Sequence, residues 1–149
     1  MNLLGFLENK STDAYGRYLS DIWAFNDQQI ERTHNFIQWL FPLAVPSASV
    51  PGAPVLTKDD ISAIRGSEVA QDNICQSAEW YSGFLDRNDF WKKSYDHNHL
   101  RITRVIRSLR LLVDVDEADA FRIEMYALLG NKLSSIPSRT RVFWDEAVL

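Results

Sequence analysis

The sequence predicts an all-α fold: a single-domain, orthogonal or irregular bundle of about six to eight helices over residues 1–149. Three observations predict it. Apolar residues recur at helical spacing along nearly the whole chain, with no convincing alternation of period two. Cap-forming residues stand in front of several of these runs. The one stretch dense in proline, residues 44–54, is too short to link domains and reads as a loop. A chain of 149 residues can bury one real core without covalent staples. Its 46% apolar and 24% charged content is that of a globular domain. Five Trp, eight Phe and five Tyr predict a core rich in aromatic rings.

The elements follow in order. A first helix is expected over residues 3–8 and a second, weakly capped, over 15–25. A third is expected over 27–41, with Ile30, Thr33, His34, Ile37 and Phe41 on one face, stopped by Pro42. Thr57, with Asp60 three residues on, reads as the cap of a short helix ending near Arg65. Ser67 caps the next, residues 68–85, whose inner face is Ile74, Ala78, Tyr81 and Leu85. A polar break spans 86–89, and residues 90–95 form a turn. A helix over 97–112 follows. Asp116, with Asp119 at the third helical position, opens another, with Ala118, Phe121, Met125 and Leu128 buried and Gly130 ending it. Pro137 leads into a last helix over 138–147.

Charge and composition narrow the function classes. The net charge is −4, which argues against a nucleic-acid partner. The single cysteine, Cys75, allows no intrachain disulfide, which suits a reducing compartment; it is expected to be buried and inert. The longest apolar run, residues 39–45, falls far short of the roughly 20 residues needed to span a bilayer. The N-terminus lacks the basic and long apolar regions of a signal peptide. A cytoplasmic location is expected, with no transmembrane segment.

Two motifs stand out, and together they hold all three histidines. The first is THNFIQWLFPL, residues 33–43; the second is HNHLRITRVIRSLRLL, residues 97–112. With its lead-in, DIWAFNDQQ followed by IERTHNFIQWLFPL, the first resembles the signature of the opioid growth factor receptor conserved domain. APVLT, residues 53–57, resembles that family's segment after its loop, and HNHLRITRVIRSLRLL resembles its second signature. The resemblance covers nearly the whole chain, in order. The chain departs from the pattern in its Pro/Ser-rich loop at 45–52, and it ends shortly after the domain where vertebrate members continue. The resemblance implies an all-helical domain, signaling receptor activity towards an enkephalin-like peptide, and membrane or nuclear association.

The residues themselves support a polar cluster. On a helix, Asp27, Glu31, His34 and Gln38 fall on one strip bordering an apolar face. In the second motif, Ile102, Val105, Ile106, Leu109 and Leu112 form the main apolar face. Leu100 and Leu111 lie opposite, which predicts a central helix. Arg101, Arg104, Arg107 and Arg110 wind around it. The candidate ligand-binding cluster is therefore Asp27, Glu31, His34, Gln38, His97, Asn98, His99, Arg101 and Arg104, with Trp23, Phe36 and Trp39 as candidate aromatic anchors for a peptide. Such a cluster serves either as a buried, mutually paired network or as a site for an anion. The expected pairing sets the strip at Asp27, Glu31 and His34 against Arg101 and Arg104. The alternative for Trp39, Phe36 and Trp23 is simple core packing.

Chemistry beyond binding has weaker support. Glu31 with His34, and Asp96 with His99, stand three residues apart, a spacing that can share a metal in helical bundles. Such centres need carboxylates from two further helices. Asp72, Glu79, Glu117 and Glu124 show no pattern that supplies them, so no metal is expected. No G-x-S-x-G, H-E-x-x-H, C-x-x-C or phosphate-binding glycine loop occurs, and no cofactor or catalytic residue is assigned. The reading is a non-enzymatic binding module for a peptide, protein or small anion. The alternative is an enzyme or metal- or anion-binding protein using the His/Arg/carboxylate cluster.

Overall fold

The computed structural model describes residues 2–149, which form nine α-helices and one 3-10 helix. The fold is all-α. Among the described residues the only β pairing is an isolated parallel bridge between Leu43 and Val55, which closes the Pro/Ser-rich loop. None of the helices is long and apolar enough to cross a membrane. The chain forms two compact units, one ending at Ser77 and the other running Ala78–Leu149. The longest helix, α6 (Glu68–Arg87), runs without a break through that boundary.

The first unit gathers short helices around aromatic rings. They are α1 (Leu3–Leu7), α2 (Leu19–Trp23), α3 (Asp27–Arg32), α4 (Ile37–Leu40) and α5 (Lys58–Arg65). α1 packs on α4 and α5, and Phe6 meets Trp39 edge-on at 5.4 Å. Phe25 and Phe36 do the same at 5.7 Å. The start of α6 is tied to α1 by two side chains. Ser67 Oγ donates to Glu8 Oε2 at 2.7 Å, and Asn73 Nδ2 donates to the Leu7 carbonyl at 2.9 Å. The expected caps at Thr57 and Ser67 are both present.

The long third helix expected over 27–41 is instead two short ones. α3 is held at its start by a capping box that the sequence reading missed: Asn26 accepts from Gln29 N, and Gln29 Oε1 accepts from Asn26 N. At Thr33 the backbone turns extended (φ −89°, ψ 122°) and the helix stops. A break frees backbone groups, and these need partners. Arg17 supplies one. Its Nη2 donates to the Asn35 carbonyl at 3.1 Å and its Nη1 to Asn35 Oδ1 at 3.0 Å. Arg17 Nε in turn donates to Asp13 Oδ2 at 2.7 Å, and the Asp13 side chain is 0% exposed. Asp13 Oδ1 accepts from the backbone of Tyr15 and Arg17, so residues 13–17 form a tight turn. The second helix is shortened to α2 for the same reason, since 15–17 belong to that turn and Tyr18 is the cap of α2.

The second unit holds α7 (His97–Leu112), α8 (Val115–Leu129), the 3-10 helix Gly130–Ser135 and α9 (Ser138–Ala147). α7 packs on both α8 and α9. Ile102, Val105, Ile106, Leu109 and Leu112 are buried, as the periodicity predicts. Its second apolar strip does not go inside: Leu100 is 76% exposed, and Leu111 is only partly buried. α8 starts two residues earlier than expected, because Asp114 rather than Asp116 accepts from Glu117 N. The buried stripe runs from Met125 to Leu129, four residues on, and leaves Leu128 partly exposed. Gly130 ends α8 at φ 52°, a conformation that costs glycine little. Cys75, expected to be buried, is partly exposed, because it lies about 100° around α6 from the buried Ile74.

Replacing Arg17 strands a sealed carboxylate. Arg17→Met is expected to lower the unfolding free energy by about 3–5 kcal/mol, the usual cost of removing one partner of a buried pair. Urea denaturation checks this; a loss under about 1 kcal/mol would show that the Asp13–Arg17 pair behaves as a surface pair.

Candidate functional site

The second motif folds as one helix, and its first turn is a sealed polar cluster. Asp96 caps α7, its Oδ1 accepting from Asn98 N at 2.9 Å and from Asn98 Nδ2 at 2.7 Å. Asn98 is fully buried, and its Oδ1 accepts from Tyr81 Oη at 2.6 Å and from Arg101 Nη1 at 3.2 Å. One amide thus joins a cap, a tyrosine and a guanidinium. His99 is buried beside it. Its Nε2 lies 2.7 Å from the Trp91 carbonyl, which can only accept, so Nε2 carries the proton. The His99 carbonyl accepts from Trp144 Nε1 at 3.2 Å, and the His99 and Trp144 rings meet edge-on at 5.9 Å. Trp91 donates its indole N–H to the Leu85 and Asn88 carbonyls.

These contacts sort the predicted site residues. Asn98, His99 and Arg101 are structural members of the second unit, each buried and bonded. His97 is exposed at the start of the same helix. In the first unit the expected strip is split. Asp27 and Glu31 lie on α3, partly buried; His34 is exposed in the link; and Gln38 is buried on α4. Gln38 Nε2 donates back to the His34 carbonyl at 3.3 Å, which steadies the start of α4. Its Oε1 is buried without a hydrogen bond among the described residues. Phe36 and Trp39 are buried in the core, which fits the packing role rather than that of anchors. Trp23 is partly buried and donates to Ser77 Oγ at 2.9 Å.

The arginine run has four different fates. Arg101 is bonded as described. Arg107 is exposed. Arg110 Nε donates to the Val148 carbonyl at 3.0 Å, tying α7 to the end of α9. Arg104 differs from all of them: its Nε and Nη2 are buried and have no hydrogen-bond partner among the described residues. No carboxylate relieves it. Burial alone pushes its guanidinium down from its ordinary value to about 10, with no opposing charge to raise it again. It stays charged at neutral pH. Because the shift is downwards, it disfavours the folded state at all pH values below about 10. That penalty is relieved as pH rises from there towards the guanidinium's ordinary value.

A second network lay outside the motifs and went unread. Arg122 donates to Asp119 and Asp145, and Tyr126 Oη donates to Asp145 Oδ1 at 2.7 Å, joining α8 to α9. Burial, with Asp145 beside it, pushes the Tyr126 hydroxyl up to about 12. The i, i+3 spacing of Asp119 and Arg122 was the one available signal.

The geometry defines an all-helical domain whose polar clusters are mostly structural; among the described residues Arg104 is the arginine with two buried nitrogens lacking a hydrogen bond, and Arg141 has one, its Nε. Residues 4–89 match the model of the opioid growth factor receptor conserved region, and the chain belongs to that family. The opioid growth factor receptor of Mus musculus is 32% identical over 105 residues, 58% of this chain and 16% of that protein. The receptor of Homo sapiens is 30% identical over 129 residues, 72% of this chain and 18% of that protein. The opioid growth factor receptor-like protein 1 of Mus musculus is 26% identical over 118 residues, 63% of this chain and 24% of its own. The chain thus matches less than a quarter of the length of each of these relatives. No solved structure matches it. The family-model match covers the first motif and stops before the second, so the α7 cluster lies beyond it.

Two substitutions separate the cluster from the orphan. Asn98→Ala strips partners from Tyr81, Arg101 and Asp96 together and is expected to cost about 2–4 kcal/mol, more than one hydrogen bond. Arg104→Met removes an unpaired charge and keeps the side chain's apolar reach, so it is expected to stabilise the fold by about 1–3 kcal/mol. Chemical denaturation at neutral pH reads both. Destabilisation by Arg104→Met would mean that the guanidinium is held by attractive contacts after all.

Proposed function

We propose that this chain is a non-enzymatic binding module, and that Arg104 on α7 faces its ligand. The single observation that carries this reading is the unpaired, dehydrated edge of Arg104. A fold does not ordinarily keep such a charge when a methionine or leucine of similar length would be more stable. A cation kept at a cost to stability is accounted for by a partner that is not part of the fold. The relatives' names contain the word receptor, which agrees with a binding role. In this reading the ligand is a peptide or a peptide-like segment of a protein, and a small free anion is the lesser alternative. Arg107, exposed on α7, is the next residue available to it. The enzyme alternative loses one of its histidines: His99 is sealed and spends its ring N–H on Trp91.

The test is selection of displayed random peptides on the protein, with Arg104→Met, folded and at least as stable, as the counter-selection. Opioid growth factor is titrated alongside by tryptophan fluorescence. Peptides that bind the natural chain saturably and bind the variant at least roughly tenfold more weakly are expected. Peptides retained equally by both proteins, or none above background, would count against the reading.

A further inference from the structure

From the shape of the orphaned edge, and resting on the binding role just proposed, we infer that Arg104 is a receptor for a carboxylate, the C-terminus or an acidic side chain of a peptide. The two buried, unpartnered nitrogens are Nε and Nη2. They lie along one edge of the planar guanidinium and present two parallel N–H bonds. That fork matches the two oxygens of one carboxylate, and the pair is stronger than a neutral hydrogen bond. Both nitrogens are covered in the free protein while the side chain as a whole is only partly buried, so a carboxylate meets the fork once the groups over it give way.

The surroundings favour a carboxylate over a phosphate. Along α7, the positions one turn before and after Arg104 are Leu100, Arg101, Arg107 and Ser108. None is acidic, so nothing on that helix face competes for the fork. Arg101 is already bonded to Asn98, and Arg110 to Val148. That leaves one dehydrated fork, which neutralises a single negative charge. A phosphate dianion would bring a second charge and a third oxygen, and on the same helix exposed Arg107 is the next residue available to meet them. In a dehydrated setting that remainder is unfavourable.

The experiment follows the Nε–H resonance of Arg104 by proton–nitrogen NMR on the whole chain. Acetate, inorganic phosphate and chloride are titrated at constant ionic strength. The assignment comes from its absence in Arg104→Lys, which keeps the charge and removes the fork. Acetate is expected to shift the resonance saturably, with a midpoint at least roughly tenfold below that of chloride and below that of phosphate. Arg107→Lys should leave that midpoint within about twofold. A tighter midpoint for phosphate would overturn the carboxylate assignment. Equal responses to all three salts, or no saturable shift, would overturn the site itself. Peptides selected as above that bind normally while acetate leaves Arg104 unmoved would sink this inference and leave the binding role standing. A peptide that loses roughly tenfold in affinity when its carboxylates are converted to amides, on the natural chain only, supports it.

Discussion

Asn98 is the residue on which the second unit turns. A primary amide has two donors and one carbonyl oxygen with two lone pairs, and a fully buried one must spend them all within the protein. Here the oxygen takes Tyr81 from α6 and Arg101 from one turn along α7, while the nitrogen side goes to the Asp96 cap. That fixes where α7 begins and how it is rotated. Rotation in turn decides which arginine goes where: Arg101 inward to the amide, Arg110 to the end of α9, Arg107 to water. His99, next in sequence, is held by Trp91 and Trp144, so the amide and two indoles set the same register from different sides. The heavy aromatic content serves this purpose as well as filling space. Each Trp brings an N–H that has to be paired when buried, and each pairing is directional.

Much of this was legible in the sequence. The span of α7 and its main apolar face follow from spacing alone, as do the caps at Thr57 and Ser67, the last helix and the stop at Gly130. What could not be read was where a polar residue overrides periodicity. Residues 27–41 carry a good helical pattern, and yet the chain breaks at Thr33. The break is accommodated by Arg17, ten residues before α3 starts, which reaches the Asn35 carbonyl from a turn built on buried Asp13. A long-range side chain that satisfies a freed carbonyl leaves no mark in a local window. The capping box at Asn26 and Gln29 was a local mark, and it favoured a start at Asp27 without saying where the helix would end.

The candidate site was half legible for a related reason. Composition singled out α7, because four arginines and two histidines on one segment are hard to place by core packing alone. It could not say which of them were spoken for. Residue type fixes how many bonds a group can make; only the fold says how many it does make. Asn98 and His99 looked like site residues and turn out to be buried and bonded within the fold. Arg104 looked like its neighbours and is the one left over.

That leftover charge bears on how binding and stability are divided in this domain. The buried groups of the α7 start are complete, so they contribute rigidity and have nothing further to offer a ligand. Arg104 sits two turns along the same helix, held by that rigid start but excluded from its bonding. A fork that is already dehydrated does not lose water when a carboxylate arrives, so less of the interaction is offset by desolvation. The same dehydration that lowers its ionisation and burdens the folded state is therefore what makes the group effective towards an anion. In physical terms the strain and the affinity are one quantity, held in place by the amide one turn and a half away.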